Sequence, residues 1–284
     1  MTAPVTRPAR SAASGAAAAL RVLPLPGTGG GVARSLRMVE RDLLVYRRVW
    51  PVLASGLLEP LFYLLALGLG MGSLVGRLPG PSGQPVRYVE FVAPAMLAAA
   101  SMNGAIFDST FNVYFRLRFE KVYDAALATP MTVGAVAIGE ITWAVARGGL
   151  YSAAFILIML ALGLVHSAWA VLALPTVLLL GFAFAATGMA CTTYMRSWQD
   201  FEFIMLVQIP MFLFSATFYP LSVYPGPLRV LVEWTPLYQG VALMRALTLG
   251  GAGPGLLAHA GYLIAMGVLG VAVAIRRLDR LLLR

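Results

Sequence analysis

Four ionisable side chains lie within long apolar stretches of this 284-residue sequence, and they are the first candidates for chemistry: Glu59, Asp108, Glu140 and Arg147. A charged side chain at the centre of a bilayer costs roughly 2.5–3.5 kcal/mol on insertion scales, so each should face protein, a cavity or a partner. Glu140 and Arg147 are seven residues apart, two turns of a helix, and therefore share a face. The four predict either a polar track that lines a pathway or structural ion pairs, for example of Arg147 with Asp108 or Glu59.

The patterns of common catalytic sites are missing from the sequence. A phosphate-binding P-loop ends in Gly-Lys-Ser/Thr, but the single lysine, Lys121, follows Glu120. The two histidines, His166 and His259, are far apart, no HExxH pattern occurs, and one cysteine cannot build a zinc site. We therefore expect no catalytic residue, no metal and no cofactor on this chain, and no P-loop ATPase site.

Composition indicates a membrane protein. Hydrophobic residues make up 60% of the chain, charged residues only 12%, and the mean hydropathy is +0.81. Soluble domains carry about 25% charged residues. The apolar runs do not alternate, and several reach the roughly 20 residues with which a helix crosses a hydrocarbon core of ~30 Å. The predicted fold class is an all-α integral membrane protein.

Six apolar segments predict six transmembrane helices. They lie at about residues 51–75, 89–113, 133–163, 169–193, 202–218 and 256–275. Basic residues that flank spans mark the cytoplasmic side. With this threading, 16 of the 21 lysines and arginines fall on the side of the two termini, and four fall on the other. We expect a multi-pass protein of the plasma membrane with both termini in the cytoplasm.

The terminal regions predict three further segments. Residues 1–32 are rich in small residues, proline and arginine, so we expect a disordered cytoplasmic tail; an organellar transit peptide is the alternative. Residues 33–50 place an apolar stripe opposite arginines, which predicts an amphipathic helix at the membrane interface. Residues 276–284 predict a basic cytoplasmic tail, and residues 51–275 the six-helix transmembrane domain.

Two connections between the predicted spans are long. The inner one, residues 114–132, reads as a charged helical segment that ends near Pro130. The outer one, residues 218–254, mixes prolines with apolar residues and predicts a hairpin of two short helices half-buried in the outer leaflet. Its marker residues are Pro220, Pro225, Pro236 and Arg245.

Three glycines end the first predicted span at a helical spacing. Gly68, Gly72 and Gly76 are four residues apart and share one face. Small residues at this spacing let another helix approach closely. They predict a close helix contact, and only weakly a dimer.

Motifs of the first and third spans, the inner connection and the outer segment occur together in a fixed order. They are Glu59-Pro60-Leu61, Tyr123-Asp124-Ala125, Leu127, Thr129, Gly139-Glu140, Trp143-Ala144, Arg147, Pro220, Pro225, Pro236-Leu237, Arg245 and Leu249-Gly250. In this order, over about residues 36–275, they resemble the membrane subunit of ABC exporters of the type-2 permease family, in particular the NodJ-like lipooligosaccharide permeases.

The resemblance implies a permease that moves an amphiphilic or lipid-linked substrate outward, such as a lipooligosaccharide, a glycolipid or a hydrophobic drug. It implies ATP and Mg²⁺ on a separate nucleotide-binding subunit, and a second permease chain as homodimer or heterodimer. Membrane lipid is a further expected partner, and nucleic acid is not. The inner connection would be the helix that couples to the ATPase. Its residues are Glu120, Lys121, Tyr123, Asp124, Leu127, Thr129 and Pro130.

Two other functions stay open. A non-transporting membrane anchor of an ATPase would share the docking segment, so only a transport assay separates it from a permease. A membrane-embedded transferase or protease would need clustered acids, histidines or a positioned nucleophile. Single substitutions of Glu59, Asp108 and Glu140 with an assay of lipid chemistry would identify it.

Overall fold

The computed structural model describes residues 31–48, 61–68, 70–251 and 253–282, and in the first of these ranges the side chains of residues 35–43. The predicted N-terminal tail lies almost entirely outside the described residues. So do residues 51–60 of the first predicted span, which include Glu59, and residue 69.

The described chain is mostly helical. Its helices are α1 (Gly31–Arg48), α2 (residues 61–68), α3 (Gly72–Val75), α4 (Tyr88–Phe107), α5 (Val113–Arg118), α6 (Val122–Leu127), α7 (Val133–Ala161), α8 (Ala173–Thr192), α9 (Phe201–Phe214), α10 (Gly226–Glu233), α11 (Pro236–Leu249) and α12 (Gly255–Leu282). A π-helical turn, Asp108–Asn112, joins α4 to α5. The 3-10 turns Ala168–Leu172, Trp198–Asp200 and Leu221–Val223 precede α8, α9 and α10. A small antiparallel hairpin of β1 (Arg77–Pro79) and β2 (Pro85–Arg87) pairs Leu78 with Val86.

Four helical stretches of the described chain are long and apolar enough to cross a membrane. They are Tyr88–Arg118, Val133–Ala161, Ala168–Thr192 and Gly255–Leu282. They coincide with the second, third, fourth and sixth predicted spans, so the prediction of a helical multi-pass membrane protein is confirmed. The fifth predicted span is the 14-residue α9, which at 1.5 Å per residue covers roughly 21 Å. The count of six stays a prediction.

Helix α8 lies at the centre of the bundle, where it packs against α4, α7, α11 and α12. Its buried positions include many alanines and glycines, which let the neighbouring helices approach closely. At Gly270 of α12, a Cβ atom would lie 2.8 Å from the backbone carbonyl carbon of Ala186. At Gly267, it would lie 2.3 Å from the ring of Phe182. The α8–α12 contact therefore depends on glycine at both positions.

Helix α1 packs on α7. Met38 is buried against Gly139, where a Cβ atom would lie 2.7 Å from the Met38 Cβ and 3.0 Å from the carbonyl oxygen of Ser35. Leu36 and Leu43, from the predicted apolar stripe, are exposed and available to lipid. The placement of this helix at the membrane interface stays a prediction.

The outer segment holds two helices of different character. Only Val232 is buried in α10, so that helix is a surface element. In contrast, α11 is buried over most of its length because it packs against α4, α8 and α12. The predicted position of the two helices in the outer leaflet stays a prediction.

Candidate functional site

One end of the helix bundle gathers five arginines from four parts of the chain, and we call it the arginine-rich end. Its members are Arg41, Arg116, Arg118, Arg196 and Arg277. The Arg118 guanidinium donates to the Met195 carbonyl at 2.9 Å, and the Arg277 guanidinium lies 4.0 Å from the centre of the Tyr194 ring. These contacts bring the ends of α5, α8 and α12 together.

Four charged side chains at this end form a closed network, which we call the ion cluster: Arg41 and Asp42 of α1, Arg116 of α5 and Glu140 of α7. Arg116 contacts Glu140 at 2.5 Å and both Asp42 carboxylate oxygens at 3.0 Å. Arg41 contacts Asp42 at 2.8 Å and Glu140 at 3.3 Å. Two positive and two negative charges balance one another.

The ion cluster is buried and holds three helices in register. The side chains of Asp42 and Glu140 are 1% and 4% exposed, and that of Arg116 is 15% exposed. Removing one partner of a buried ion pair leaves an uncompensated charge, which is strongly destabilising. The cluster therefore fixes α1 and α5 against the first turns of α7.

The predicted coupling segment lies directly beside the ion cluster. Tyr123 of α6 is 1% exposed, and no described residue forms a hydrogen bond with its hydroxyl. Burial raises the pKa of Tyr123 well above its ordinary value, and the nearby Glu140 carboxylate acts in the same direction. Tyr123 therefore anchors α6 by packing, in its neutral form.

The opposite side of this segment is open. Glu120, Lys121 and Asp124 are exposed, and we call them the docking face. Lys121 precedes α6 with a φ of 49°, a left-handed conformation that a non-glycine residue rarely adopts. This residue separates α5 from α6, and the docking face beside it is open to solvent or to a partner.

The rest of the coupling segment ends α6. Leu127, the last residue of the helix, is half-buried. The Thr129 hydroxyl donates to the Ala126 carbonyl at 2.6 Å, and Pro130 is exposed. Thr132 then caps α7, because its side-chain oxygen accepts from the Ala135 amide at 3.2 Å.

A second buried ion pair lies deeper in the bundle. Arg147 of α7 contacts Asp108, and their side chains are 11% and 5% exposed. Asn112 donates to the Asp108 carboxylate at 2.8 Å across the π-helical turn. The turn also leaves the Ser109 carbonyl available to the Thr192 hydroxyl of α8, at 3.0 Å. Single π-helical turns inside α-helices are frequent at functional sites.

The described members of the predicted polar track make their direct contacts in two groups. Asp108 pairs with Arg147, whereas Glu140 joins Arg116 and Arg41 at the arginine-rich end. Sequence reasoning missed Asp42, Arg41 and Arg116 as partners of Glu140. The available signal was Asp42 itself, an acid in a helix rich in arginines.

The marker residues of the outer segment have structural positions at the other end of the bundle. Pro220 and Pro225 precede the 3-10 turn Leu221–Val223 and α10, and Pro236 is the first residue of α11. Arg245 is buried: its guanidinium donates to the carbonyls of Phe91 at 3.1 Å and Ala216 at 2.9 Å. It thereby joins α11 to α4 and to the loop after α9.

The three glycines of the first predicted span differ in their surroundings. At Gly68, a Cβ atom would lie 3.0 Å from the Val89 side chain of α4. At Gly72 and Gly76, no atom of the described chain lies within 4 Å of that position, and Gly76 has a φ of 71°. A contact of Gly72 with a second chain stays a prediction.

The sequence comparisons identify the family. Residues 35–249 match the model of the family described as ABC-2 type transporter. The chain belongs to the ABC-2 type transporter family. This ABC-2 permease is therefore a multi-pass membrane protein for export, and the resemblance stated from its motifs is confirmed. Over its described part, no three His, Cys, Asp or Glu side chains are grouped to hold a metal ion.

Several relatives of the ABC-2 permease carry the name Nodulation protein J. It is 30% identical to that of Rhizobium leguminosarum bv. viciae over 253 residues, which cover 88% of this chain and 95% of the relative. It is 30% identical to that of R. leguminosarum bv. trifolii over 257 residues, which cover 88% of this chain and 96% of the relative. It is 31% identical to that of Rhizobium meliloti (strain 1021) over 215 residues, which cover 74% of this chain and 79% of the relative.

Proposed function

We propose that this permease exports an amphiphilic or lipid-linked substrate across the plasma membrane, driven by ATP that a separate nucleotide-binding subunit hydrolyses with Mg²⁺. The observation that carries the proposal is the docking face of α6, exposed to a partner while Tyr123 on the same helix is buried beside the ion cluster. A surface element with one side free and the other fixed to the spans is suited to receive motion from another protein.

The docking face has the chemistry of a protein interface. Two acids and one lysine project from a short, well-anchored turn. Charges on the rim of an interface select the partner and set the rate of encounter more than they set affinity. The ATPase subunit is therefore expected to present a cleft with complementary charge.

Motion of α6 has a direct route to the spans. Arg116 of α5 links the chain just before α6 to Glu140 of α7 and to Asp42 of α1. Because α5 continues α4 through the π-helical turn, a displacement at the docking face acts on two predicted spans at once. The positive-inside rule supports a cytoplasmic location for the arginine-rich end.

The proposed working unit contains two permease chains, as homodimer or heterodimer, and two ATPase chains. Helix α9 has no buried residue in the described chain, and it exposes Met205, Leu206 and Ile209. This apolar face is available to a second permease chain or to lipid. The few charges within the spans favour an amphiphile over a small ion as substrate.

Purification from the native membrane in mild detergent tests the proposal. We expect an ATPase subunit to accompany the intact chain, and its recovery to fall about tenfold with Glu120→Ala/Asp124→Ala, since charged interface pairs control association. Glu233→Ala, an exposed acid of α10, is the matched control and should retain the partner. Reconstituted complex should then hydrolyse ATP faster with a transported amphiphile.

Two results would contradict the proposal in different ways. Absence of any nucleotide-binding subunit from a folded preparation would remove the energy source. A stable complex whose ATP hydrolysis and amphiphile movement are independent of each other would indicate a membrane anchor instead.

A further inference from the structure

A large cavity lies between α9 and the face formed by α4, α8 and α12. Its volume is about 820 Å³, within the range of 300–1,000 Å³ typical of protein sites for small molecules. The core side is lined by Ile106, Phe184 and Met266. These side chains belong to the packed bundle, so this wall is preformed.

The α9 side of the cavity is apolar and accessible from outside the chain. Phe203, Ile204, Val207 and Met211 recur on one face of α9 and line the cavity. Phe203 and Val207 are nevertheless 69% and 66% exposed, so this wall is accessible from outside the described chain. A polar contact joins α9 to α4: the Gln208 amide donates to the Asn103 side chain at 2.8 Å.

The cavity ends in polar groups at the arginine-rich end. Asp200 accepts the backbone amides of Arg196 at 2.6 Å and Ser197 at 3.1 Å, and these hydrogen bonds lower the pKa of its carboxyl group. The Arg196 side chain is exposed at the same rim. Arg118 and Arg277 contact the adjoining residues Met195 and Tyr194. Arg196 thus lies on the rim beside the ionised Asp200, and two further arginines contact residues of the same rim.

The depth of the cavity distinguishes a bilayer lipid from a larger molecule. Its α9 wall extends from Asp200 to Met211, eleven residues or roughly 16 Å. One leaflet is half of a ~30 Å hydrocarbon core. Apolar walls of that depth below a cationic rim match one phospholipid of the leaflet at that end. Cytoplasmic leaflets are the ones rich in anionic lipid.

We propose that this cavity binds an anionic phospholipid of the leaflet at the arginine-rich end, with an acyl chain between α9 and α8 and the phosphate at Arg196. The lipid supplies the apolar contacts that α9 does not receive from its own chain. Bound lipid therefore holds α9 beside the bundle, a role separate from that of the transported substrate.

The only cysteine in the sequence is a reporter placed in this cavity. Cys191 lines it and is exposed. The full chain, in detergent micelles with phosphatidylglycerol or with phosphatidylcholine of identical acyl chains, is alkylated with N-ethylmaleimide and followed by mass spectrometry. We expect phosphatidylglycerol to slow alkylation about fivefold more than phosphatidylcholine. One arginine near an anionic surface strengthens binding by about that factor.

Two variants and one small anion complete the test. Arg196→Gln should remove the difference between the lipids, while Arg229→Gln, an exposed arginine of α10, should preserve it. Glycerol 3-phosphate, which has a phosphate but no acyl chain, should give no protection. Gel filtration and thermal unfolding verify that both variants remain folded.

Four outcomes would overturn the inference. They are equal protection by the two lipids, protection by glycerol 3-phosphate alone, protection that follows dimer formation whatever the lipid, and protection by an exported amphiphile but not by phosphatidylglycerol. None of these measurements depends on the ATPase subunit, so their failure is distinguishable from failure of the proposed function.

Discussion

Several buried charges in this permease form ion pairs that join different helices. Asp108 meets Arg147, and Arg116 bridges Asp42 and Glu140. A buried ion pair is not in itself strongly stabilising, because desolvation offsets the attraction between the charges. It does make each residue dependent on its partner. Such pairs specify which helices pack against each other.

Replacing Arg147 tests this dependence. Arg147→Met leaves the Asp108 carboxylate buried without its cation and should reduce the free energy of unfolding by about 3–5 kcal/mol. The double variant Arg147→Met/Asp108→Asn should lose roughly 1–3 kcal/mol less than the sum of the single variants. Denaturant titration of the protein in detergent measures these differences.

A surface pair provides the control for the Arg147 series. Arg229 and Glu233 contact each other with side chains 53% and 41% exposed, so Arg229→Met should cost about 0–1 kcal/mol. Strict additivity of the Arg147 and Asp108 substitutions would show that the two side chains do not act as a pair.

The sequence predicts the ion pair of Asp108 with Arg147 as one alternative, but not the ion cluster. Apolar surroundings force a buried charge to find a partner. Asp42 and Arg116 could not be assigned to Glu140, since their contact requires α1 to pack on α7. Nothing in the local pattern of residues 33–50 specifies that packing.

At the scale of helices, the contact of α1 with α7 depends on Gly139. Gly139→Ala would place a Cβ atom 2.7 Å from that of Met38 and 3.0 Å from the Ser35 backbone. Such overpacking costs about 1–3 kcal/mol. We expect lower thermal stability and faster tryptic cleavage at the exposed Arg37.

Gly148, in the same helix, is the matched control. No atom of the described chain lies within 4 Å of the position of its Cβ, so Gly148→Ala should stabilise the helix by about 0.5–1 kcal/mol. If Gly139→Ala is as stable as Gly148→Ala and resists trypsin equally, α1 does not rest on α7 as described.

Helix limits were predictable where hydrophobicity was continuous, and not where hydrogen bonding changes locally. The second predicted span ends at residue 113, but the helical stretch continues to Arg118 through the turn Asp108–Asn112. A π-helical turn inserts extra backbone without altering the apolar composition. Likewise, the prolines of the outer segment predicted short helices, but the burial of α11 results from its tertiary contacts.

For the whole molecule, the order of elements along the chain places the ion cluster between the docking face and the spans. Helix α6 is short and contacts α5 and α7. In the proposed function, Arg116 and Glu140 connect the docking segment to the bundle. Loss of the docking face should reduce recovery of the ATPase subunit about tenfold, whereas weakening of the cluster should leave binding intact and interrupt transmission.

Glu140→Gln separates these two steps. It removes one of the two carboxylates that hold Arg116 while preserving the side-chain shape, and the docking face is unchanged. We expect ATPase recovery in copurification to stay within about twofold of the intact chain, and ATP-dependent movement of amphiphile in proteoliposomes to fall about tenfold, in the usual range of coupling between sites. Glu233→Gln controls for loss of an acid elsewhere. If Glu140→Gln reduces recovery of the ATPase as much as Glu120→Ala/Asp124→Ala does, the cluster only shapes the docking segment. If Glu140→Gln leaves transport unchanged, motion reaches the spans by another route.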